Sequence, residues 1–214
     1  MPSKLIRHIL MAALLLACPA GFVHGDTTMH ILAFGDSLTA GYGLPADQSF
    51  AAQLERRLRD MGRDVRVTNP GVSGDTTARG LARLAWSLED KPHLVVLELG
   101  ANDGLRGLDP VRMRDNLDAM IRQCLEAGAR VILAGMRAPV NWGLEYRNRF
   151  DDVFPELADE HDLTLYPFFL EGVVRDPSLV LDDGLHPNAA GVARIVEGIL
   201  PLVLEELDAL EKAS

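Results

Sequence analysis

Three side chains in this sequence have the types and spacing of a nucleophile, a base and an orienting acid. Ser37 stands where an apolar run gives way to a helical pattern, so its hydroxyl is expected at an exposed turn near a helix N-terminus. Its base would be His186. Asp183 lies one tight turn before His186, with Gly184 between them, so its carboxylate can hold Nδ1–H and leave Nε2 to accept the serine proton. The pattern predicts a Ser-His-Asp triad for acyl transfer.

An acyl-transfer site also needs donors for the oxygen that becomes negatively charged. Gly74 can present its backbone N–H without a side chain in the way, and Asn102 can present a side-chain NH₂. Together with the backbone N–H of Ser37, these groups would form an oxyanion hole with three donors.

Each of these residues, taken alone, also has an ordinary structural explanation. Ser37 and Asn102 are common helix-capping residue types, and Gly74 is a common turn residue. The Asp183–His186 pair is compatible with a simple ion pair in a loop. The functional interpretation depends on all four segments following predicted strands and therefore meeting at one edge of a sheet.

Other chemistries have less support in the sequence. Ser73 lies near Gly74, but its surroundings (GVSGD) miss the G-x-S-x-G pattern of a nucleophile elbow by one position. Neither a phosphate-binding nor a dinucleotide-binding glycine motif occurs. Asp182, Asp183 and His186 are possible metal ligands without a further ligand set, so we predict no metal and no cofactor.

The elements that must position these residues alternate along the chain. Continuous apolar runs are typical of strands buried on both faces of a parallel sheet. They occupy residues 30–35, 65–69, 94–100, 130–135 and 163–166. Helical patterns occupy residues 48–61, 76–89, 110–127, 145–161 and about 187–210. The alternation predicts an α/β fold, a three-layer sandwich with a five-stranded parallel sheet, in one domain of residues 26–214.

Composition narrows the classes of partner. The chain has 214 residues and a net charge of −10, with 31 acidic and 21 basic side chains and no basic run. This argues against nucleic-acid binding and against docking on anionic lipid surfaces. We expect a monomer that acts on a small molecule.

The first 25 residues have the pattern of a secretory signal peptide. Lys4 and Arg7 precede a short apolar run at residues 9–18, and cleavage is predicted after Gly25. The run is too short for a comfortable membrane span. A retained anchor, or a lipoprotein cleaved before Cys18, is the alternative. We therefore expect an exported protein in which Cys124, on an apolar helix face, is a buried hydrophobe rather than a nucleophile.

The four segments resemble the conserved blocks of the GDSL (SGNH) hydrolases. Residues 35–38 (GDSL), Gly74, residues 100–103 (GAND) and residues 183–186 (DGLH) occur in the family's order. The resemblance implies a flavodoxin-like sandwich, and it implies Ser37 as nucleophile, His186 as base and Asp183 as its orienter. It also implies Gly74 and Asn102 as oxyanion donors.

Three further segments are similar in sequence to the periplasmic arylesterase, thioesterase and lysophospholipase branch of this family. They are residues 80–84 (GLARL), 100–107 (GANDGLRG) and 167–173 (PFFLEGV). That likeness implies a periplasmic enzyme without a cofactor. It implies esters and thioesters with apolar acyl chains as substrates, and lysophospholipids as a further candidate. An acyl chain could lie along apolar residues after the fourth strand: Met136, Pro139, Trp142, Leu144 and Tyr146. The alternatives are a non-catalytic exported binding domain and an acetyl-sugar esterase or acyltransferase that uses the same triad.

Overall fold

The computed structural model describes residues 28–213. The predicted signal peptide of residues 1–25, including Cys18, lies outside the described residues. Within residues 28–213, every helix is too short or too polar to cross a lipid bilayer.

A five-stranded parallel sheet forms the centre of the fold, as the sequence predicts. Its strands are β1 (Met29–Gly35), β2 (Val65–Thr68), β3 (Leu94–Glu98), β4 (Arg130–Ala134) and β5 (Thr164–Tyr166). They lie in the order β2-β1-β3-β4-β5. Every residue of β1 and β3 is buried, which explains why these strands are continuously apolar rather than alternating.

The strand register brings the ends of four strands to one edge of the sheet. Gly35 pairs with Glu98, Glu98 with Ala134, and Ala134 with Tyr166. The chain therefore leaves β1, β3, β4 and β5 from a single row of residues. Loops that follow these strands are brought together at that edge, which is where parallel sheets bind ligands.

Eight α-helices are present in the part of the chain that the structure describes. They are α1 (Ser37–Ala40), α2 (Phe50–Asp60), α3 (Thr77–Leu88), α4 (Ala101–Leu105), α5 (Pro110–Glu126), α6 (Leu144–Asp151), α7 (Val153–His161) and α8 (Ala189–Ala213). Helix α2 packs against α8, while α5 packs against α3 and α7. With the sheet between them, these groups form the three layers predicted from the alternation of strands and helices.

Two features of the helices differ from the sequence prediction. The helix start predicted at Ser37 is present, but α1 has only 4 residues, and the short helix α4, directly after β3, was not predicted. The helix predicted over residues 145–161 is divided into α6 and α7. Pro155 explains the division, because it has no N–H to donate to the carbonyl of Asp151 and its ring would collide with that carbonyl in a continuous helix.

Cys124 is buried on α5, as predicted for a small hydrophobic residue. Burial raises the pKa of its thiol to about 12. The thiol therefore stays protonated at physiological pH, and a protonated thiol is a poor nucleophile.

Candidate active site

The nucleophile candidate begins helix α1 directly after β1. Asp36 is the N-cap of this helix, and its Oδ1 accepts the backbone N–H of Leu38 at 3.0 Å. Ser37 is thus the first helical residue and not the cap, so its hydroxyl is free for another partner. The turn is tight, because a Cβ on Gly35 would collide with the side chains of Thr39 and Glu98.

The structure brings the three predicted triad residues into one hydrogen-bonded chain. His186 Nε2 lies 3.0 Å from Ser37 Oγ, and His186 Nδ1 lies 2.6 Å from Asp183 Oδ2. The geometry matches a neutral imidazole that donates from Nδ1 and accepts at Nε2. The ring of Tyr42 packs beside the imidazole, with ring centroids 4.4 Å apart.

A tight turn holds Asp183 in this position. Asp183 Oδ1 accepts the backbone N–H groups of His186 and Leu185, both at 2.9 Å, and Gly184 has a φ of +68°. These hydrogen bonds lower the pKa of Asp183 to about 2, and the bond from the backbone N–H of His186 has the largest effect. The carboxylate is therefore ionised at neutral pH and can stabilise an imidazolium at His186.

Asn102 and Gly74 both line the cavity that contains Ser37 and His186. Gly74 has a φ of +83°, a left-handed conformation that side-chain-bearing residues rarely adopt. Asn102 lies in the first turn of α4 but does not cap it, because the N-cap is Gly100. Instead, its Nδ2 donates to Asp36 Oδ2 at 2.9 Å.

The bond between Asn102 and Asp36 is a feature that the sequence analysis missed. A carboxylate can only accept, so Asp36 fixes which end of the amide is the NH₂ group and leaves its second N–H free. Asp36 is fully buried, and burial raises the pKa of its carboxyl to about 6. In sequence, an aspartate before a short helix indicates only a cap, and its partner lies 66 residues away.

Asp103, the neighbour of Asn102, caps a different helix from the one on which it lies. Its carboxylate accepts the backbone N–H of Thr77 at 2.8 Å and the Thr77 hydroxyl at 2.7 Å, at the start of α3. This buried contact joins α4 to α3. The Asn102–Asp103 pair therefore does not cap its own helix, which was one of the ordinary explanations for these residues.

A second buried acid lies beneath the turn of residues 36–39, which carries the nucleophile candidate Ser37 and which we refer to as the nucleophile turn. Glu98, at the end of β3, accepts the Thr39 hydroxyl at 2.7 Å and the backbone N–H of Asp36 at 3.3 Å. Burial, followed by the nearby charge of Asp36, raises the pKa of Glu98 well above its usual range. The carboxyl group thus ties both ends of the Asp36–Thr39 turn to the sheet.

Arg83, on α3, joins the nucleophile turn to the loop that carries Gly74. Its guanidinium donates to the carbonyls of Gly35 at 2.9 Å and Pro70 at 2.7 Å, and to the carboxylate of Asp75 at 2.6 Å. It also stacks over the ring of Phe34, 4.1 Å from the ring centroid. The half-buried Arg83 therefore fixes the position of the Ser37 segment relative to the Gly74 segment, and both segments carry predicted oxyanion donors.

A cavity of about 470 Å³ opens beside these groups. Its walls are mostly apolar and include Leu38, Leu105, Met136, Pro139, Phe168, Leu170, Val174 and Leu185. Such a cavity suits an apolar group attached to a reacting carbonyl. Most of these residues come from loops whose apolar side chains cannot be distinguished from core residues in sequence.

Of the five residues predicted to bind an acyl chain, Met136 and Pro139 line the cavity. The other three lie elsewhere. Trp142 Nε1 donates to the carbonyl of Gly104 at 2.8 Å, and Tyr146 donates its hydroxyl to the carbonyl of Leu108 at 2.8 Å. Leu144 is largely exposed. Trp142 and Tyr146 therefore pack on α4 and the segment that follows it, instead of lining the cavity.

Among residues 28–213, one group of side chains has the spacing of metal ligands, namely Asp118, Glu160 and His161. Each acid is already neutralised by an arginine, because Arg122 lies 3.0 Å from Asp118 and Arg114 bonds Glu160. His161 in turn bonds Asp118 at 2.7 Å. This cluster is an ion-pair network between α5 and α7, distant in the fold from the edge that carries Ser37.

A parallel sheet with a serine, an imidazole and a carboxylate bonded in series at its carboxyl edge is an arrangement typical of hydrolases that cleave esters. Comparison with known proteins agrees with this class. The sequence model of the GDSL-like lipase/acylhydrolase family matches residues 33–194. That range contains all the residues of the candidate site.

Individual relatives cover most of the chain. An arylesterase of Vibrio mimicus is 43% identical over 178 residues, which is 83% of this chain and 89% of the relative. Thioesterase 1/protease 1/lysophospholipase L1 of Escherichia coli (strain K12) is 40% identical over 159 residues, 74% of this chain and 75% of the relative. A crystal structure of TesA superposes with a TM-score of 0.79 at 42% identity, covering 83% of this chain and 99% of that one. The chain therefore belongs to the GDSL-like lipase/acylhydrolase family and is an ester-hydrolysing enzyme.

Proposed function

We propose that this enzyme hydrolyses carboxylic esters and acyl thioesters through Ser37, His186 and Asp183. The supporting observation is the unbroken series of contacts from Ser37 Oγ to His186 Nε2 at 3.0 Å and from His186 Nδ1 to Asp183 at 2.6 Å. Ser37 Oγ attacks the carbonyl carbon while Nε2 takes the hydroxyl proton. The imidazolium returns that proton to the leaving alcohol or thiol, and water then releases the acyl group by the same route.

The oxyanion of the tetrahedral intermediate would be held by three donors. These are the backbone N–H groups of Ser37 and Gly74 and the free N–H of Asn102. Asp36 supports this role, because it holds the amide of Asn102 with the NH₂ group toward the site. Donors that are already oriented need no reorganisation when charge develops.

The cavity supports an apolar acyl chain as the group bound beside the carbonyl. The names of the relatives, an arylesterase and a thioesterase/lysophospholipase, are consistent with ester and thioester substrates. Lysophospholipids are a further candidate. Burial of each methylene in such a cavity contributes about 0.8 kcal/mol, so substrates with longer chains are expected to bind more tightly until the cavity is filled.

Of the three alternatives, a binding domain and an acetyl-sugar esterase have less support, and an acyltransferase is separated by experiment. A non-catalytic binding domain would not need a serine, imidazole and carboxylate at hydrogen-bonding distances. An acetyl-sugar esterase has little use for a cavity with mostly apolar walls. An acyltransferase would use the same residues and differs only in the acceptor that replaces water.

We further propose that residues 26–214 form one catalytic domain, exported after removal of residues 1–25, and that it acts as a monomer without metal or cofactor. The predicted leader supports export, and the one continuous five-stranded sheet supports a single domain.

The test is hydrolysis of neutral p-nitrophenyl esters of increasing chain length, combined with a fluorophosphonate probe. We expect kcat/KM to rise with chain length to a maximum, and we expect mass spectrometry to locate one adduct, on Ser37. An added alcohol acceptor tests for transferase activity through the ratio of ester product to free acid. A protein that neither hydrolyses these esters nor takes up the probe would be a binding domain instead.

Arg83→Met is expected to lower kcat roughly tenfold with a smaller effect on KM, because the Ser37 and Gly74 segments lose their common anchor and small displacements of catalytic groups are costly. Arg79→Met is the matched control. Arg79 is on the same helix and contacts the same carboxylate, Asp75, but is mostly exposed and bonds neither backbone carbonyl. Steady-state kinetics check the prediction, and equal kcat values in both variants would contradict it.

A further inference from the structure

The cavity beside Ser37, which we refer to as the acyl cavity, adjoins a second cleft whose lining carries more charge. Its volume is about 460 Å³. It shares part of its wall with the acyl cavity, formed by Arg137, Pro139, Phe168 and Val174. A molecule bound at Ser37 can therefore extend from one space into the other. We refer to this second space, which Arg137, Arg147 and Arg175 line, as the arginine cleft.

Two of the three arginines lack a partner. Within residues 28–213, Arg147 and Arg175 form neither an ion pair nor a side-chain hydrogen bond. The Nε of Arg147 is buried without any hydrogen-bond acceptor. A buried donor without an acceptor is costly, and in folded proteins such groups are nearly always paired with a protein group, a water molecule or a bound ion. Arg137 stacks over Phe168, 4.7 Å from its ring centroid, and so faces the shared wall.

Two acids, Glu171 and Asp176, line the arginine cleft beside its three arginines, so the lining keeps a net positive charge. Glu171 pairs loosely with Arg137, with 3.9 Å between their charged groups. Asp176 accepts the backbone N–H and the hydroxyl of Ser178, at 2.9 and 2.6 Å, and pairs with neither Arg147 nor Arg175. On a chain with 31 acidic and 21 basic residues, a concave site with two unpaired arginines is a local exception to the overall charge. Concave walls strengthen the attraction of such a site for anions.

We propose that the arginine cleft binds a phosphate group on the leaving-group side of the substrate; this rests on the proposed esterase function. The planar guanidinium matches phosphate oxygens, with which it forms paired, charge-assisted hydrogen bonds. An acyl chain gains free energy by entering the apolar cavity, whereas the charged and solvated cleft favours the polar half of the molecule. The phosphate could belong to a phosphoglycerol headgroup or to a phosphate-bearing thiol carrier.

Matched substrate pairs test this proposal. Octanoyl lysophosphatidic acid is compared with monooctanoylglycerol, and octanoyl-4′-phosphopantetheine with octanoyl-pantetheine. The two members of each pair share the acyl chain and the scissile bond and differ in phosphate. The quantity measured is the ratio of kcat/KM for the phosphate-bearing member to kcat/KM for the neutral member.

We expect this ratio to exceed one in at least one pair and to fall about tenfold in Arg147→Met and in Arg175→Met, the loss expected for one charge-assisted hydrogen bond. Added salt should lower the ratio of the unmodified enzyme, because ions screen an exposed charged site. Arg112→Met is the matched control. Arg112 is also exposed and unpaired in the described structure, but it lies on α5 outside the cleft. The kcat/KM ratio of the Arg112→Met variant should therefore equal that of the unmodified enzyme.

The outcomes separate the two proposals. A ratio near one in both pairs, or a ratio that both cleft variants leave unchanged, overturns the phosphate site while neutral esters are still hydrolysed. Failure of the unmodified enzyme on the neutral esters contradicts the esterase function instead. A preference in one pair identifies the source of the phosphate. Arg175 is exposed, so Arg175→Met is expected to fold even if the half-buried Arg147 tolerates no substitution.

Discussion

Ser37→Ala is expected to abolish nearly all ester hydrolysis, with kcat lower by roughly a millionfold, as is typical when a serine hydrolase loses its nucleophile. The remaining rate would reflect binding and the oxyanion donors, which alone accelerate such reactions by roughly 10³–10⁴ over water. Within residues 28–213, the hydroxyl of Ser37 bonds only His186, at 3.0 Å, so its loss should change the melting temperature little. Active-site titration and thermal melting of the same preparation check both expectations.

Ser73→Ala is the control for this experiment, because Ser73 also lines the cavity and carries a second serine hydroxyl, next to Gly74 in the chain. His186 bonds Ser37 and not Ser73. The Ser73→Ala variant should therefore keep its rate of ester hydrolysis and should still react with a fluorophosphonate. An inactive Ser73→Ala together with an active Ser37→Ala would reassign the nucleophile.

The fold and the proximity of Ser37, Asp183 and His186 could be predicted because their signals are local. Continuous apolar runs identify buried parallel strands, and Asp183, Gly184 and His186 lie within a single turn, so their proximity can be inferred from spacing alone. Parallel strands then place Ser37 at the same edge as that turn. The division between α6 and α7 could also have been inferred, because Pro155 is incompatible with the interior of one long helix.

The supporting residues of the site could not be predicted, because their partners are distant in sequence. In a helical pattern, Arg83 resembles any solvated arginine, and only the structure shows its bonds to Gly35, Pro70 and Asp75. Glu98 interrupts an apolar strand without any sign that it binds the nucleophile turn. Apolar character likewise could not separate Met136, in the cavity wall, from Trp142, which covers a neighbouring loop.

Asn102→Ala is expected to lower kcat by about 10²–10³, equivalent to roughly 2.7–4 kcal/mol of transition-state stabilisation, with a much smaller change in KM. The reason is differential binding, because the amide meets an oxygen that carries a full charge only in the transition state. The variant also leaves the buried Asp36 Oδ2 without its 2.9 Å donor, so a lower melting temperature is expected. Comparing kcat with KM separates the catalytic effect from the structural one.

Asn102→Asp gives the sharper comparison. If Asn102 only supported the start of α4, aspartate would replace it well, because both residues are favourable near helix N-termini. If Asn102 is an oxyanion donor, aspartate places a second carboxylate beside Asp36 and an acceptor opposite a developing negative charge. We therefore expect Asn102→Asp to be slower than Asn102→Ala when kcat is measured at neutral pH on a short neutral ester. An Asn102→Asp enzyme with nearly normal kcat would exclude the amide from the oxyanion hole, leaving the backbone N–H groups of Ser37 and Gly74 to hold the charge alone.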